Sequence, residues 1–225
     1  MASMSFCFTS YAVLVIGACV GKCYFSDFAG YIDMVFLAAV VVTMAGIYVE
    51  VLKERCGQGA TGPVLTALLP WVIMLGGSMV ALKALPGWIQ PFSNTFGYLA
   101  VHIPMLRATD KLIAVLADEQ KTSIELIKKN PGLTLNEFAS STFSGAMEKM
   151  KAEGLVKADA PLEELRGIVA VKDSVAAAVW YLLVGCVAIT TSFNVLMNFT
   201  CQKTVLKEAP VLPVEEEETE YIVED

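Results

Sequence analysis

Four stretches of this chain are apolar for too long to be folded away inside a water-soluble domain of 225 residues. The most uniform lies between Tyr31 and Leu52 and contains MVFLAAVVVTMAGIYV without interruption, with Asp33 and Glu50 at its two rims. A second, from Pro63 to Leu85, reads PVLTALLPWVIMLGGSMVALKAL, and a third, from Val175 to Phe199, reads VAAAVWYLLVGCVAITTSFNVLMNF. The shortest, FCFTSYAVLVIGACV from Phe6 to Val20, is closed by Gly21 and Lys22. Crossing the hydrocarbon core of a bilayer takes about 20 mostly apolar residues in a helix. Composition agrees: 56% of residues are hydrophobic and 17% charged, against roughly 25% charged in an ordinary soluble domain. The expectation is an all-α membrane protein with four transmembrane helices at about 6–21, 31–52, 63–85 and 175–200. Residues 1–85 then form a three-helix region. Residues 86–174 form an extramembrane insert between helices 3 and 4, and 201–225 an acidic C-terminal tail.

The first run competes with a cleaved signal peptide, but no Lys or Arg precedes Lys22, so the basic n-region is missing. A tight hairpin with Lys22 to Gly30 as its turn accounts for it better. Four spans put the N-terminus, the loop at Lys53 and Arg55, and the tail on one side, and the turn and the insert on the other. Basic residues near the membrane set orientation. Lys53, Arg55, Lys203 and Lys207 on one side balance Lys22, Lys83, Arg166 and Lys172 on the other, so the sidedness stays open.

Inside the spans, polar atoms are few. Thr190, Thr191, Ser192 and Asn194, with Asn198, are placed to hydrogen-bond neighbouring helices. Gly17 with Gly21, and Gly77 with Ala81, make small-xxx-small pairs that permit close helix approach, a pattern chance also supplies in Gly- and Ala-rich helices. Pro70 marks a kink. No ionisable group lies at mid-span, and proton relays or ion-coupled transporters usually need one.

The insert opens with LPGWIQPFSNTFGYLAVHIPM. Pro86-Gly87 and Pro91 read as helix breakers, and Trp88, Phe92, Phe96 and Tyr98 follow directly on a membrane exit. Aromatics there ordinarily form an interfacial belt; the rival reading makes Trp88, Pro91, Phe92, Asn94, Phe96 and Tyr98 contacts for a partner. His102 reads as a structural side chain. Beyond it, Asp110 to Lys129 has the period of one amphipathic helix. Thr134 to Glu137 forms a capping box, Ser144 to Glu153 a further helix stopped by Gly154, and Asp159-Ala-Pro161 a fourth start ending near Gly167. This order resembles a winged-helix module, in which Gly154-Leu-Val156 and Gly167 to Val171 would supply the wing strands. From Lys83 to Asp173 there are 11 basic and 11 acidic residues, a balance that lacks the positive field phosphate contact demands. The resemblance therefore implies protein contact and no nucleic acid; a plain helical insert is the other reading.

Six cysteines stand at 7, 19, 23, 56, 186 and 201, with no CxxC and no histidine partner. They read as reduced apolar fillers, although Cys7, Cys56 and Cys201 share one side and one disulfide among them is open. After Lys207 the chain has no basic residue and ends PVEEEETEYIVED. Such a run is ordinarily a solvated tail; Glu215, Glu216, Glu217, Glu218 and Tyr221 also suit docking on a basic surface. GQGATG at Gly57 to Gly62 lacks the Lys-Ser/Thr of a phosphate loop. No nucleophile–base pair is evident, so the expectation is a non-enzyme with no cofactor, no metal and no small-molecule substrate.

Two stretches carry a family resemblance. PGWIQPFSNTFGYL, Pro86 to Leu99, and KDSVAAAVWYLLVGCVAITTSFNVLMNFTC, Lys172 to Cys201, resemble membrane-embedded structural proteins of large icosahedral double-stranded DNA viruses, the chlorovirus-like group. The resemblance implies a minor capsid protein in the viral inner membrane, with membrane lipids and other capsid or membrane proteins as partners. Two other classes remain open: a small transporter or channel subunit, and a membrane-tethered regulator using a winged-helix-like insert.

Overall fold

The computed structural model describes residues 4–25, 28–57, 61–103, 106–118 and 121–201. Within them the protein is all-helical, and four helices are long and apolar enough to cross a membrane. These are α1 (Met4–Tyr24), α2 (Ala29–Cys56), α3 (Thr61–Ala84) and α9 (Leu162–Asn198). Between α3 and α9 run α4 (86–101), α5 (Ala108–Val115), α6 (Thr122–Lys129), α7 (Pro131–Glu137) and α8 (Phe143–Ala152).

The spanning helices are apolar on every face, as a helix solvated by lipid must be. Only 17% to 39% of each span's most apolar window is buried against the rest of the protein. Val42, Leu65, Ile73 and Val80 point outward at 66% exposure or more, so the outer surface requires hydrocarbon as its solvent. α9 packs against both α1 and α3, and α2 against the same two helices. Their core is filled by Tyr11, Met44, Tyr48, Trp71 and Leu75, all essentially inaccessible. In lipid every buried polar group must find an internal partner. The Tyr11 hydroxyl donates to the Tyr181 carbonyl at 2.7 Å, Trp71 Nε1 donates to Tyr48 Oη at 2.9 Å, and Ser192 Oγ donates to the Ala67 carbonyl at 2.6 Å. That last bond lies one turn before Pro70, where the missing N–H and a wide π-turn over Trp71–Gly76 loosen α3.

A second core sits outside the bundle. Val101, Ala108, Leu112, Val115, Leu135, Phe138, Phe143, Met147 and Val156 close around Leu165, Ile168 and Val169 of α9. The 37 residues of α9 extend about 55 Å, while the hydrocarbon core is about 30 Å thick. Its first turns thus belong to the module and its remainder to the membrane. Gly167 lies inside this helix with open space around it and terminates nothing.

Several sequence expectations change here. Residues 167–171 are helical and supply no wing strand. What survives of the wing is one antiparallel bridge, Leu116 with Val156, flanked by Ala117 N–H to the Leu155 carbonyl and Lys157 N–H to the Val115 carbonyl. That pairing buries Leu116 and Val156 and splits the expected helix 110–129 into α5 and α6. α7 begins at Pro131, whose fixed φ suits a first helical position, leaving Thr134 inside the helix and no capping box. Residues 86–101 are helical throughout: Pro86 falls in the first turn, where no N–H is needed, and the π-turn Ser93–Gly97 absorbs the disruption near Pro91.

Candidate functional site: the joint between module and membrane

The chemistry-bearing side chains gather where α4, the 131–140 segment and α9 meet, just before the apolar run that begins at Val175. Ser93, Gly97, Ala100 and Val101 form the buried stripe of α4, which runs along α9. Gly97 permits the approach: a Cβ there would run into the Lys172 carbonyl oxygen. Asp173 accepts from Ser93 Oγ at 2.6 Å and from the Ser140 backbone N–H at 2.7 Å. Lys172, inaccessible to solvent, donates to the Asn136 carbonyl at 2.9 Å, and Asn136 Nδ2 donates to the Asn94 carbonyl at 3.3 Å. Burial pushes the Lys172 ammonium below its ordinary value, while Asp173 and Glu137 pull it back up. These bonds cross three elements distant in sequence and fix the module to the membrane helix.

Beside this joint, at the membrane rim, Asp33 pairs with Lys22, and Lys83 approaches the same carboxylate at 3.5 Å. The Lys22 ammonium also lies 5.4 Å from the centroid of the Tyr181 ring. The three charges tie α1, α2 and α3 together at one level.

The outer face of α4 is apolar. Trp88, Phe96 and Leu99, with Ile103 just past the helix end, are 46% to 67% exposed, while Phe92 is half-buried edge-on against Trp180, with ring centroids 5.2 Å apart. Pro91 and Asn94 are also exposed, and the Asn94 side-chain oxygen accepts from Gln90. Tyr98 turns inward against His102 and reaches Gly132 of α7. Of the six residues grouped as partner contacts, therefore, four stand on the surface while Phe92 and Tyr98 are largely spent on internal packing. Glu215, Glu216, Glu217, Glu218 and Tyr221 lie outside the described residues.

At the opposite end, the Arg55 guanidinium donates to the Leu196 carbonyl in the last turn of α9. Gly57, at φ +72°, closes α2 with its N–H on the Lys53 carbonyl. Next to them Cys56 and Cys201 are joined, with Cα atoms 5.3 Å apart. This corrects the reading of all six cysteines as reduced: proximity of two helix ends, invisible in spacing, selects the pair.

The helix-packing residues expected from the sequence sit differently. Gly17 and Gly77 have open space where a Cβ would stand, Gly21 makes an ordinary 3.7 Å contact with Ile32, Ala81 is half-buried, and Asn194 is exposed. Thr190 and Thr191 bond back to carbonyls of their own helix, at Cys186 and Val187. The tight approach is made at Gly185, where a Cβ would overlap the Tyr11 ring. A sequence signal for Lys172 did exist. Leu165, Ile168, Val169, Lys172 and Ala176 follow a helical core stripe, legible once α9 is read straight through Gly167.

Among the described residues no group of three or more His, Cys, Asp or Glu side chains is placed to hold a metal ion. Comparison with known protein families, curated proteins and solved structures finds no match for this chain.

Proposed function

We propose that this is a non-enzymatic multi-pass membrane protein whose work is to hold a folded module at fixed height and orientation against one membrane face. The observation that carries the reading is α9, a single helix whose buried side chains serve both hydrophobic cores. A module joined this way cannot swivel without breaking the helix or the Lys172–Asp173 joint. The middle of the bundle is packed shut by Tyr11, Tyr48 and Trp71, whose polar atoms bond to one another or to backbone, which favours an anchor over a transporter or channel. Equal numbers of acidic and basic residues across Lys83 to Asp173 favour protein contact over nucleic acid.

In its specific form the proposal is a minor capsid protein in the inner membrane of a large icosahedral double-stranded DNA virus, tying bilayer to shell. It rests on the resemblance of Pro86 to Leu99 and Lys172 to Cys201. Cross-linking of purified particles followed by detergent extraction tests it. The expected result is release of the chain with the membrane lipids and cross-links from its α4 or module residues to shell proteins. Absence of the chain from purified particles would refute the viral reading, and solute flux through proteoliposomes of the pure protein would refute the anchor.

A further inference from the structure

The distribution of cysteines bears on the sidedness that the count of basic residues leaves tied. At one end of the bundle Cys56 and Cys201 are bonded, closing the C-terminal ends of α2 and α9 together beside the Arg55–Leu196 contact. At the other end, where the module sits, Cys23 stands exposed with its thiol free, one turn from the half-buried Cys19. Disulfides form and persist in oxidising compartments and are rare where glutathione and thioredoxin keep thiols reduced. An exposed thiol is the mirror case, since in an oxidising compartment it is open to oxidation and mixed-disulfide formation. The end with the bonded pair keeps its free thiol, Cys7, buried, while the other end of α1 leaves Cys23 exposed.

We infer that the protein sits with its N-terminus, the α2–α3 turn and Cys201 in an oxidising compartment, and with the 86–174 module in a reducing one. Forming the Cys56–Cys201 bond removes two protons and two electrons from the thiols. A protein disulfide oxidant takes up the electrons by exchange: one thiolate attacks the oxidant's disulfide, and the second thiolate displaces the oxidant as its dithiol. Such oxidants act on the lumenal or extracytoplasmic side, before or as the helix ends come together. The orientation has a consequence for recognition: whatever docks on the exposed face of α4 or on the module must be present on the cytosolic face.

Limited trypsin treatment of the full chain in sealed, cytosol-side-out microsomes tests both halves at once. Lys128 and Lys129 at the end of α6 are exposed and lie between the two bonded cysteines in sequence. The expected result is cleavage without detergent, with the two halves running as one species on a non-reducing gel and separating when reduced. In Cys201→Ser the halves separate under both conditions. Cleavage only after the vesicles are opened overturns the orientation. Halves of the unsubstituted chain that separate without reductant overturn the bond. Neither outcome bears on whether the protein serves a virion, which particle cross-linking decides separately.

Discussion

Replacing Gly185 with alanine should destabilise the bundle far more than the same change at any other glycine of the spans. The Tyr11 ring occupies the space a Cβ would need, and it is 1% exposed. It cannot swing freely, because Trp71 lies 5.0 Å away and Phe36 6.2 Å away, centroid to centroid. Forcing a methyl into such a core costs about 1–3 kcal/mol. If the ring yields, its hydroxyl leaves the Tyr181 carbonyl, and a buried polar group without a partner costs about 1–3 kcal/mol more. The sum is about 2–6 kcal/mol. Gly17→Ala and Gly77→Ala, which meet open space, should stay within about 0.5 kcal/mol of the parent. Reversible unfolding in mixed detergent micelles, followed by tryptophan fluorescence, would measure all three. Tyr11→Ala opens the space that the new methyl needs, so Tyr11→Ala with Gly185→Ala should be less damaging than the two singles added, by about 1–3 kcal/mol. Strict additivity, or a Gly185→Ala as benign as Gly17→Ala, would refute the packing argument.

Three further outcomes are expected. Gly97→Ala should lose about 1–3 kcal/mol and should raise hydrogen exchange at Ser140, because the methyl separates α4 from the Lys172 backbone and slackens the Ser93–Asp173–Ser140 bonds. Burial holds Lys172 below the ordinary 10.5, so between that depressed value and 10.5 the folded chain binds fewer protons than the unfolded one. Stability should climb with pH across this window and level off above it. Lys172→Met should flatten the climb, as read from denaturation series at graded pH, and should cost about 1–3 kcal/mol near neutrality where the Asn136 carbonyl loses its donor. Cys56→Ser opens a covalent loop of 145 residues and should cost about 2–4 kcal/mol, with an equal loss on reducing the parent chain.

The regions where the sequence misled share a cause. At Pro86, Gly87 and Pro91 local propensity argued against helix, yet contact with α9 along Ser93, Gly97 and Val101 outweighs it. At Leu116 the helical period continued, and pairing with Val156 broke it. Gly17, Gly21, Gly77 and Ala81 had the right spacing for close packing. Which face of a span meets a neighbour depends on the neighbour, so spacing alone could not select Gly185 over them. Lys172 looked like one more rim charge because the helix was taken to stop near Gly167.

What the amino-acid order determined unaided is the solvent. Transfer into hydrocarbon is close to a sum over residues within one helix, so the four spans and their approximate limits follow from composition read along the chain. Sharing of α9 between two cores, the Lys172–Asp173 joint, and the choice of Cys56 and Cys201 were decided only by tertiary structure. Each depends on groups tens to hundreds of residues apart, and no local energy term distinguishes the right partner from the wrong one until the helices have packed.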